Sequence, residues 1–302
     1  MIIVAISGGP GNQLFQYAAG KYLSDRLKCK LVLDYSWYKS RAAKDGTKRE
    51  FILDYLIDAK GYDFAISGIL AKIIRVGMAM ISIASPIFRN LKYTRIDEVK
   101  KFKFDTKFNE IYGNIFINGF WQAEQYTRNL SLKTFSKKFI EECEQAMGSK
   151  LSSEIKEPNT ISVSVRRASD YSEDLLVCTP SYYSNSAKKI CKLLNNDYTK
   201  KIYIFSDNIE WCRKELKFDF DASITYIEKF DAVDNWKTNL YINALCENHV
   251  ISNSTFEWWA ATLGQRKNKE LTGFVIAPKY WWTFIPVEDI DIYPTNWIVD
   301  RE

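Results

Sequence analysis

Between residues 161 and 277 the sequence alternates short β-branched runs with segments of helical spacing. That alternation restricts the fold more than any other feature of the chain. Residues 161–165, 202–205, 224–227, 249–251 and 274–277 read as strands, because β-branched and aromatic residues suit a pleated, buried surface. Helices are expected over 181–194, from Ser206-Asp207-Asn208 through Leu216, over 239–246 and over 256–263, each opened by residues that cap well. Strands separated by helices at this spacing form a parallel, doubly wound sheet. The chain opens in the same manner. Residues 1–6 read as a buried strand, Ser7-Gly8-Gly9-Pro10-Gly11-Asn12-Gln13 as a turn, and Leu14, Phe15, Tyr17, Ala18, Tyr22 and Leu23 as one helical stripe before a strand at 31–33. At 302 residues two domains are expected. Lys156-Glu157-Pro158-Asn159 is the best linker, dividing the chain into 1–157 and 158–302.

Composition excludes several classes. The net charge of +5 is mild and no long Lys/Arg run exists, so no nucleic-acid partner is expected. Six cysteines are scattered without a C-x-x-C pair, as in a reducing cytoplasm rather than a disulfide framework or zinc site. The single histidine, His249, leaves no room for a Ser-His-Asp triad or a His-rich metal site and reads as structural. The start of the chain lacks a basic n-region and a long apolar run. Residues 64–88 are the most apolar stretch, but Lys72 and Arg75 interrupt it, and the uninterrupted run from Val76 to Phe88 is too short to span a bilayer. A core helix is the plain reading; a helix lying on a membrane surface is the sharper one.

Three loops of the second half fall at strand carboxyl ends, where open α/β sheets bind ligands. They are Arg166-Arg167, Ser206-Asp207 and Ser252-Asn253-Ser254-Thr255. Guanidinium forks match phosphate, and a hydroxyl-rich turn into a helix N-terminus cradles a diphosphate. Each has a bland alternative, a solvated arginine pair or an ordinary N-cap. Together they suggest a nucleotide-diphosphate ligand. The Gly8–Gln13 turn adds a place for close backbone approach, although it is neither a dinucleotide fingerprint nor a P-loop.

Residues 8–18, Gly119-Phe120-Trp121-Gln122-Ala123-Glu124-Gln125-Tyr126, residues 204–212 and residues 252–259 resemble, in order, the blocks of family 11 glycosyltransferases, the bacterial α-1,2-fucosyltransferases. That resemblance implies an α/β fold of GT-B type, two Rossmann-like domains facing across a cleft. The N-terminal domain would take the acceptor and the C-terminal domain the nucleotide sugar. It implies GDP-fucose as donor, inversion at the anomeric carbon, and no metal or other cofactor. Carried over by position, Asn12 would lie near the sugar and β-phosphate, Arg166 would neutralise the leaving diphosphate, and Arg167 would order its loop. Ser254 and Thr255 would hold phosphate oxygens and Asp207 would help the nucleoside. Gly9, Gly11, Gln13, Ser206, Ser252, Asn253 and Phe256, in the same blocks, would complete the donor site. The implied acceptor is a galactose-containing glycan or lipid-linked oligosaccharide for a surface polysaccharide such as O-antigen. The implied location is the cytoplasm, at the inner face of the plasma membrane.

The chain departs from the family pattern in one block. Ser164 stands where the family has histidine, and Ala168-Ser169 replaces a glycine with one residue added. A donor contact is lost or remade there. The departure opens two further readings: a nucleotide-sugar-binding protein without turnover, and a transferase using another GDP-sugar. The general base is open between Asp170 and Glu124, with a structural role for both as the alternative. Asp219-x-Asp221 and Asp289-x-Asp291 have the form of a metal-holding D-x-D, but chance accounts for them better in a chain with this many aspartates.

Overall fold

The computed structural model describes residues 1–40, 49–58, 61–84, 92–167, 176–195, 199–228, 235–267, 272–282 and 285–300. They form two compact units, Met1–Leu130 with Ile290–Ile292 and Ser131–Asp289 with Tyr293–Glu302.

The first unit contains β1 (Ile2–Ala5), α1 (Pro10–Leu27), β2 (Leu31–Asp34), α2 (Leu53–Leu56), β3 (Phe64–Ile66), α3 (Gly68–Ala84), β4 (Tyr93–Asp97) and β5 (Asn114–Asn118). Its strands form one parallel sheet in the order β3-β2-β1-β5-β4. β1, β2 and the middle of β5 are buried, so their apolar runs are continuous rather than alternating, as covered parallel strands require. α3 packs Ala71 and Met78 onto a layer formed by Ile3, Val32, Ile66 and Phe116. β4 is not expected from the sequence, because Tyr93-Thr94-Arg95-Ile96-Asp97 has one buried residue and carries two charges.

The second unit adds α4 (Lys137–Ile155), β6 (Thr160–Val165), α5 (Pro180–Leu194), β7 (Lys201–Ser206), α6 (Ile209–Glu215), β8 (Ser223–Tyr226), α7 (Asn235–Leu245), β9 (Asn248–Val250), α8 (Thr255–Gln265), β10 (Val275–Ala277), β11 (Tyr280–Trp282), β12 (Ile285–Pro286) and β13 (Ile298–Val299). β11 and β12 pair antiparallel. The other strands build a parallel sheet in the order β8-β7-β6-β9-β10-β13. In chain order that is 3-2-1-4-5-6, the doubly wound Rossmann arrangement. Both units are thus parallel α/β domains, as expected.

The unit boundary differs from the one expected after residue 157. α4 belongs to the second unit, with Phe139 and Cys143 buried. Phe139 meets the Tyr241 ring of α7 edge-on, and Tyr241 Oη donates to Glu144 at 2.7 Å. A helix follows the core that buries its apolar stripe, and this one has its partner about a hundred residues downstream.

β6 is buried on both faces. Its serines are therefore interior: Ser162 Oγ lies 2.8 Å from His249 Nδ1, and Ser164 accepts from Asn243 Nδ2 at 2.6 Å. His249 is structural as expected. It is fully buried, and burial lowers its pKa to about 3, so it is neutral. All six cysteines are free thiols. Among the described residues no helix is long and apolar enough to cross a membrane.

Candidate active site

In the second sheet the winding reverses between β6 and β9, so the loops leaving those strands border the crevice where doubly wound sheets bind ligands. Arg166 and Arg167 leave β6. β7 runs beside it with Val165 opposite Ser206, which brings Asp207 level with the arginines. Its carboxylate accepts the Arg167 amide at 2.7 Å and sits 2.7 Å from Arg166 Nη1. The Arg167 guanidinium lies 4.3 Å above the Trp211 ring. Asp207 is thus the anchor of the arginine loop. Ser206 Oγ accepts the Asn208 amide, and Asn208, rather than Asp207, caps α6 through the Trp211 amide.

The segment after β9 divides in two. Ser252 and Asn253 are buried. Ser252 donates its amide (2.8 Å) and its hydroxyl to Glu257, and Asn253 Nδ2 donates to the Trp281 carbonyl. Ser254, Thr255 and Phe256 are only half-buried, at the N-terminus of α8, where the helix dipole favours an anion. Ser254 occupies the N-cap position with extended backbone, yet its side chain makes no capping bond. The first-turn amides are therefore not closed off by the residue best placed to do so.

Glu257 is a residue that sequence reasoning gives no role. Burial, with the Asp207 charge adding to it, raises its carboxyl pKa to about 7, while the two Ser252 bonds and Arg166 oppose that shift. The Ser254-x-x-Glu257 spacing is a capping-box signal that could have found it, although the carboxylate reaches Ser252 rather than Ser254. Asp170 and Ala168-Ser169 lie outside the described residues.

The first unit presents the other group of expected residues. Gly8, at φ +78°, makes the turn that ends β1, and Pro10 starts α1 with Gly9 at its N-cap. The Gly8 carbonyl accepts from Tyr38 Oη at 2.8 Å and from Gln13 Nε2 at 3.2 Å. Gln13 is fully buried; it also donates to the Glu50 carbonyl and accepts the Ile52 amide. Its amide is spent on holding the turn. Gly9 and Gly11 are buried in the turn and the first helical residues. Asn12 Oδ1 accepts from Gln122 Nε2 at 2.9 Å, tying the β1 loop to the β5 loop at this sheet's own reversal point.

Sequence reasoning misses two further residues here. A Cβ on Gly9 would stand 2.6 Å from Arg49 Nη1, so a guanidinium packs beside the α1 N-terminus; nothing in its local sequence signals this. Glu98 accepts the Phe120 and Trp121 amides at 2.8 and 2.9 Å and so shapes the loop that carries Gln122; burial raises its pKa. Glu124 is committed to an ion pair with Arg128 at 2.9 Å. Gly8→Ala is expected to cost roughly 1–2 kcal/mol, because a Cβ is disfavoured at that positive φ and would press on Asn12 Nδ2. A denaturant midpoint equal to wild type would refute this.

Of the D-x-D pairs, Asp219 pairs with Lys188 at 3.0 Å, and Asp291 accepts the Phe104 amide at 2.9 Å. Among the described residues no group of three or more His, Cys, Asp or Glu is placed to hold a metal ion.

The family model for glycosyl transferase family 11 matches residues 78–300. The chain belongs to that family. It is 30% identical to an alpha-1,2-colitosyltransferase of Escherichia coli, over 99% of this chain and 98% of the other. It is 25% identical to the Escherichia coli O-antigen biosynthesis glycosyltransferase WbnK, over 92% and 93%. Among solved structures it is similar to the fucosyltransferase NodZ from Bradyrhizobium, with TM-score 0.47, 13% identity and coverage of 87% and 92%. It is also similar to POFUT1 in complex with GDP, with TM-score 0.48, 12% identity and coverage of 91% and 97%. The fold rests on the strand order above rather than on these weak likenesses. As a family 11 glycosyltransferase, the chain carries its family match across the whole β6–β9 crevice.

Proposed function

We propose that this family 11 member is an inverting, metal-independent transferase that moves L-fucose from GDP-fucose to the 2-hydroxyl of a galactose-like acceptor. The observation that carries the reading is the Arg166-Arg167 pair, anchored by Asp207 at the reversal point of a Rossmann sheet and neighboured by the α8 N-terminus. In the proposed reaction the acceptor oxygen attacks the anomeric carbon. The bond to the β-phosphate oxygen breaks with its electron pair passing to GDP, and the acceptor proton leaves to a base. Fixed cations and helix-terminus donors stabilise the charge that grows on the diphosphate, which lowers the barrier without Lewis-acid help. Asn12 would orient the sugar from a side chain already held by Gln122. The acceptor would be a galactose-containing glycan or lipid-linked oligosaccharide at the inner face of the plasma membrane.

A second reading keeps this chemistry and changes the sugar to L-colitose, which is L-fucose without its 3-hydroxyl. One observation favours it: the 30% identical relative is a colitosyltransferase. A donor competition separates the two. With a galactose-terminated acceptor and chelator present, GDP release is expected from GDP-fucose, and no UDP release from UDP-sugars. Faster release from GDP-colitose would transfer the assignment to that donor. Stabilisation by UDP-sugars alone, or an absolute need for a divalent metal, would overturn both readings. Tight GDP-sugar binding without transfer or hydrolysis would leave a binding protein instead.

A further inference from the structure

α3 covers one face of the first sheet with Ala71 and Met78, yet its opposite side is also apolar. Ile69, Ile73, Val76 and Met80 recur at i, i+4, i+7 and i+11 on that side, and the outermost are far from buried: Ile69 is 79% exposed, Ile73 61% and Met80 64%. A helix needs only one apolar stripe to dock on its own sheet. This one has a second with no partner in the chain among the described residues. The patch continues past the helix to Phe64, at the start of edge strand β3, which like Leu70 of α3 is more than half exposed. Leu70, Ile74, Phe64 and Val32 line a groove of about 670 Å3 between that strand and the helix. Contiguous exposed apolar surface of this kind marks an interaction site.

The surrounding charge says what kind. No acidic residue occurs in α3. Lys72 is exposed beside the stripe, and Lys30 is exposed with its Nζ 5.3 Å from the Phe64 ring. Lys92 is exposed just before β4. Of the acidic neighbours, Asp34 is paired with Arg75, whereas Asp63 accepts the Leu31 amide and stays exposed and charged beside Phe64, outnumbered by the lysines. A second copy of the chain would bring this cationic rim against itself, since a two-fold interface repeats one patch on both subunits. An apolar stripe on a helix that carries no acid, flanked by more lysines than acids, is complementary to lipid with negative head groups. We propose that the outer face of α3, with Phe64 and the β3 edge, docks on an anionic bilayer, the helix lying in the interface plane. This assignment does not depend on the donor or acceptor, and its test involves no turnover.

The full chain is sedimented with phosphatidylcholine vesicles, with and without phosphatidylglycerol. Binding is expected only when phosphatidylglycerol is present, and it should weaken as salt screens the lysines. Ile69→Ser with Ile73→Ser should lower the partition coefficient by about tenfold or more, and Lys72→Gln by a smaller factor. Both isoleucines lie at the surface, so the double variant should keep the wild-type unfolding temperature. No sedimentation with either vesicle would overturn the proposal, as would undiminished binding by the double variant. So would light scattering that finds a wild-type dimer and a monomeric double variant, which would make the stripe a seam between copies.

Discussion

Arg166→Ala is expected to lower turnover by roughly 10²–10³, the usual cost of losing one fixed electrostatic donor to developing charge. The unfolding temperature should barely change. Arg166 stands beyond the last residue of β6, outside the apolar core, with its side chain 30% exposed. Asp207 keeps the Arg167 amide when the guanidinium goes, so its carboxylate is not left without a donor. The loss should fall on kcat with GDP-fucose and leave the acceptor KM almost untouched, because the charge neutralised is that of the leaving group. Arg166→Lys should recover a fraction only, since a point charge cannot reproduce the planar fork. Asp207→Asn should also reduce kcat, by less, because it loosens the arginine without removing it. Near-normal kcat in a folded Arg166→Ala protein would take the residue out of the chemistry and weaken the placement of the diphosphate at this loop.

Much of the fold is legible because five of the six strands of the second sheet are short, carry β-branched residues and are closed by a turn or cap; the two-residue edge strand β13, beyond the expected last strand at 274–277, is not. The sequence order of those strands does not reveal their spatial order, but the right-handed crossover rule leaves few arrangements. The illegible parts depend on partners distant in sequence. α4 falls on the wrong side of the expected linker because Tyr241, which receives its Phe139 edge-on, lies far along the chain. β4 is hidden because its exposed positions carry Arg95 and Asp97, which pair with each other at 2.7 Å. Ser162 and Ser164 have the look of a solvent-facing edge in an alternating strand; both are interior because His249 and Asn243 supply hydrogen bonds.

The site is legible as residue types at strand ends and illegible as a network. Arg166 and Asp207 are far apart in sequence and meet only because β6 and β7 pair with Val165 opposite Ser206. Asn12 and Gln122 both lie in blocks singled out by resemblance, yet their bond follows from β1 and β5 being neighbours. The same geometry separates residues that the sequence groups together. Gln13, Ser252 and Asn253 spend their polar atoms on the scaffold, whereas Ser254, Thr255 and Phe256 remain partly accessible. Arg49 carries no local signal at all, because a guanidinium reaching a helix terminus is visible only in three dimensions.

Glu257→Gln is expected to change how stability depends on pH. The carboxyl pKa is about 7 in the folded protein against 4.5 for the free group. The folded state therefore binds the proton more tightly, so this contribution is complete below pH 4.5 and is lost as pH rises through 7. Neutral His249 acts oppositely: with its pKa lowered to about 3 from 6.5, it adds stability that is present above pH 6.5 and lost as pH falls towards 3. Between pH 4.5 and 6.5 the two slopes offset each other in the wild type. Removing the carboxyl leaves the histidine slope alone. The variant should therefore gain on the wild type by about 1.4 kcal/mol per pH unit across that window, and by roughly 3 kcal/mol between pH 4.5 and 7. Every other titrating group cancels in the difference, and any loss of a Ser252 bond shifts the curve without tilting it. Urea unfolding of both proteins from pH 4.5 to 7.5 measures the tilt; parallel curves would refute the buried-acid assignment. The same proton governs the charge of the crevice. Arg166 and Arg167 against Asp207 leave one net positive charge while Glu257 is protonated, and none once it ionises. GDP-fucose, whose doubly esterified diphosphate has no proton to lose in this range, should accordingly bind more weakly as pH rises through about 7 in the wild type and evenly in Glu257→Gln, since a neutral glutamine has no proton to lose.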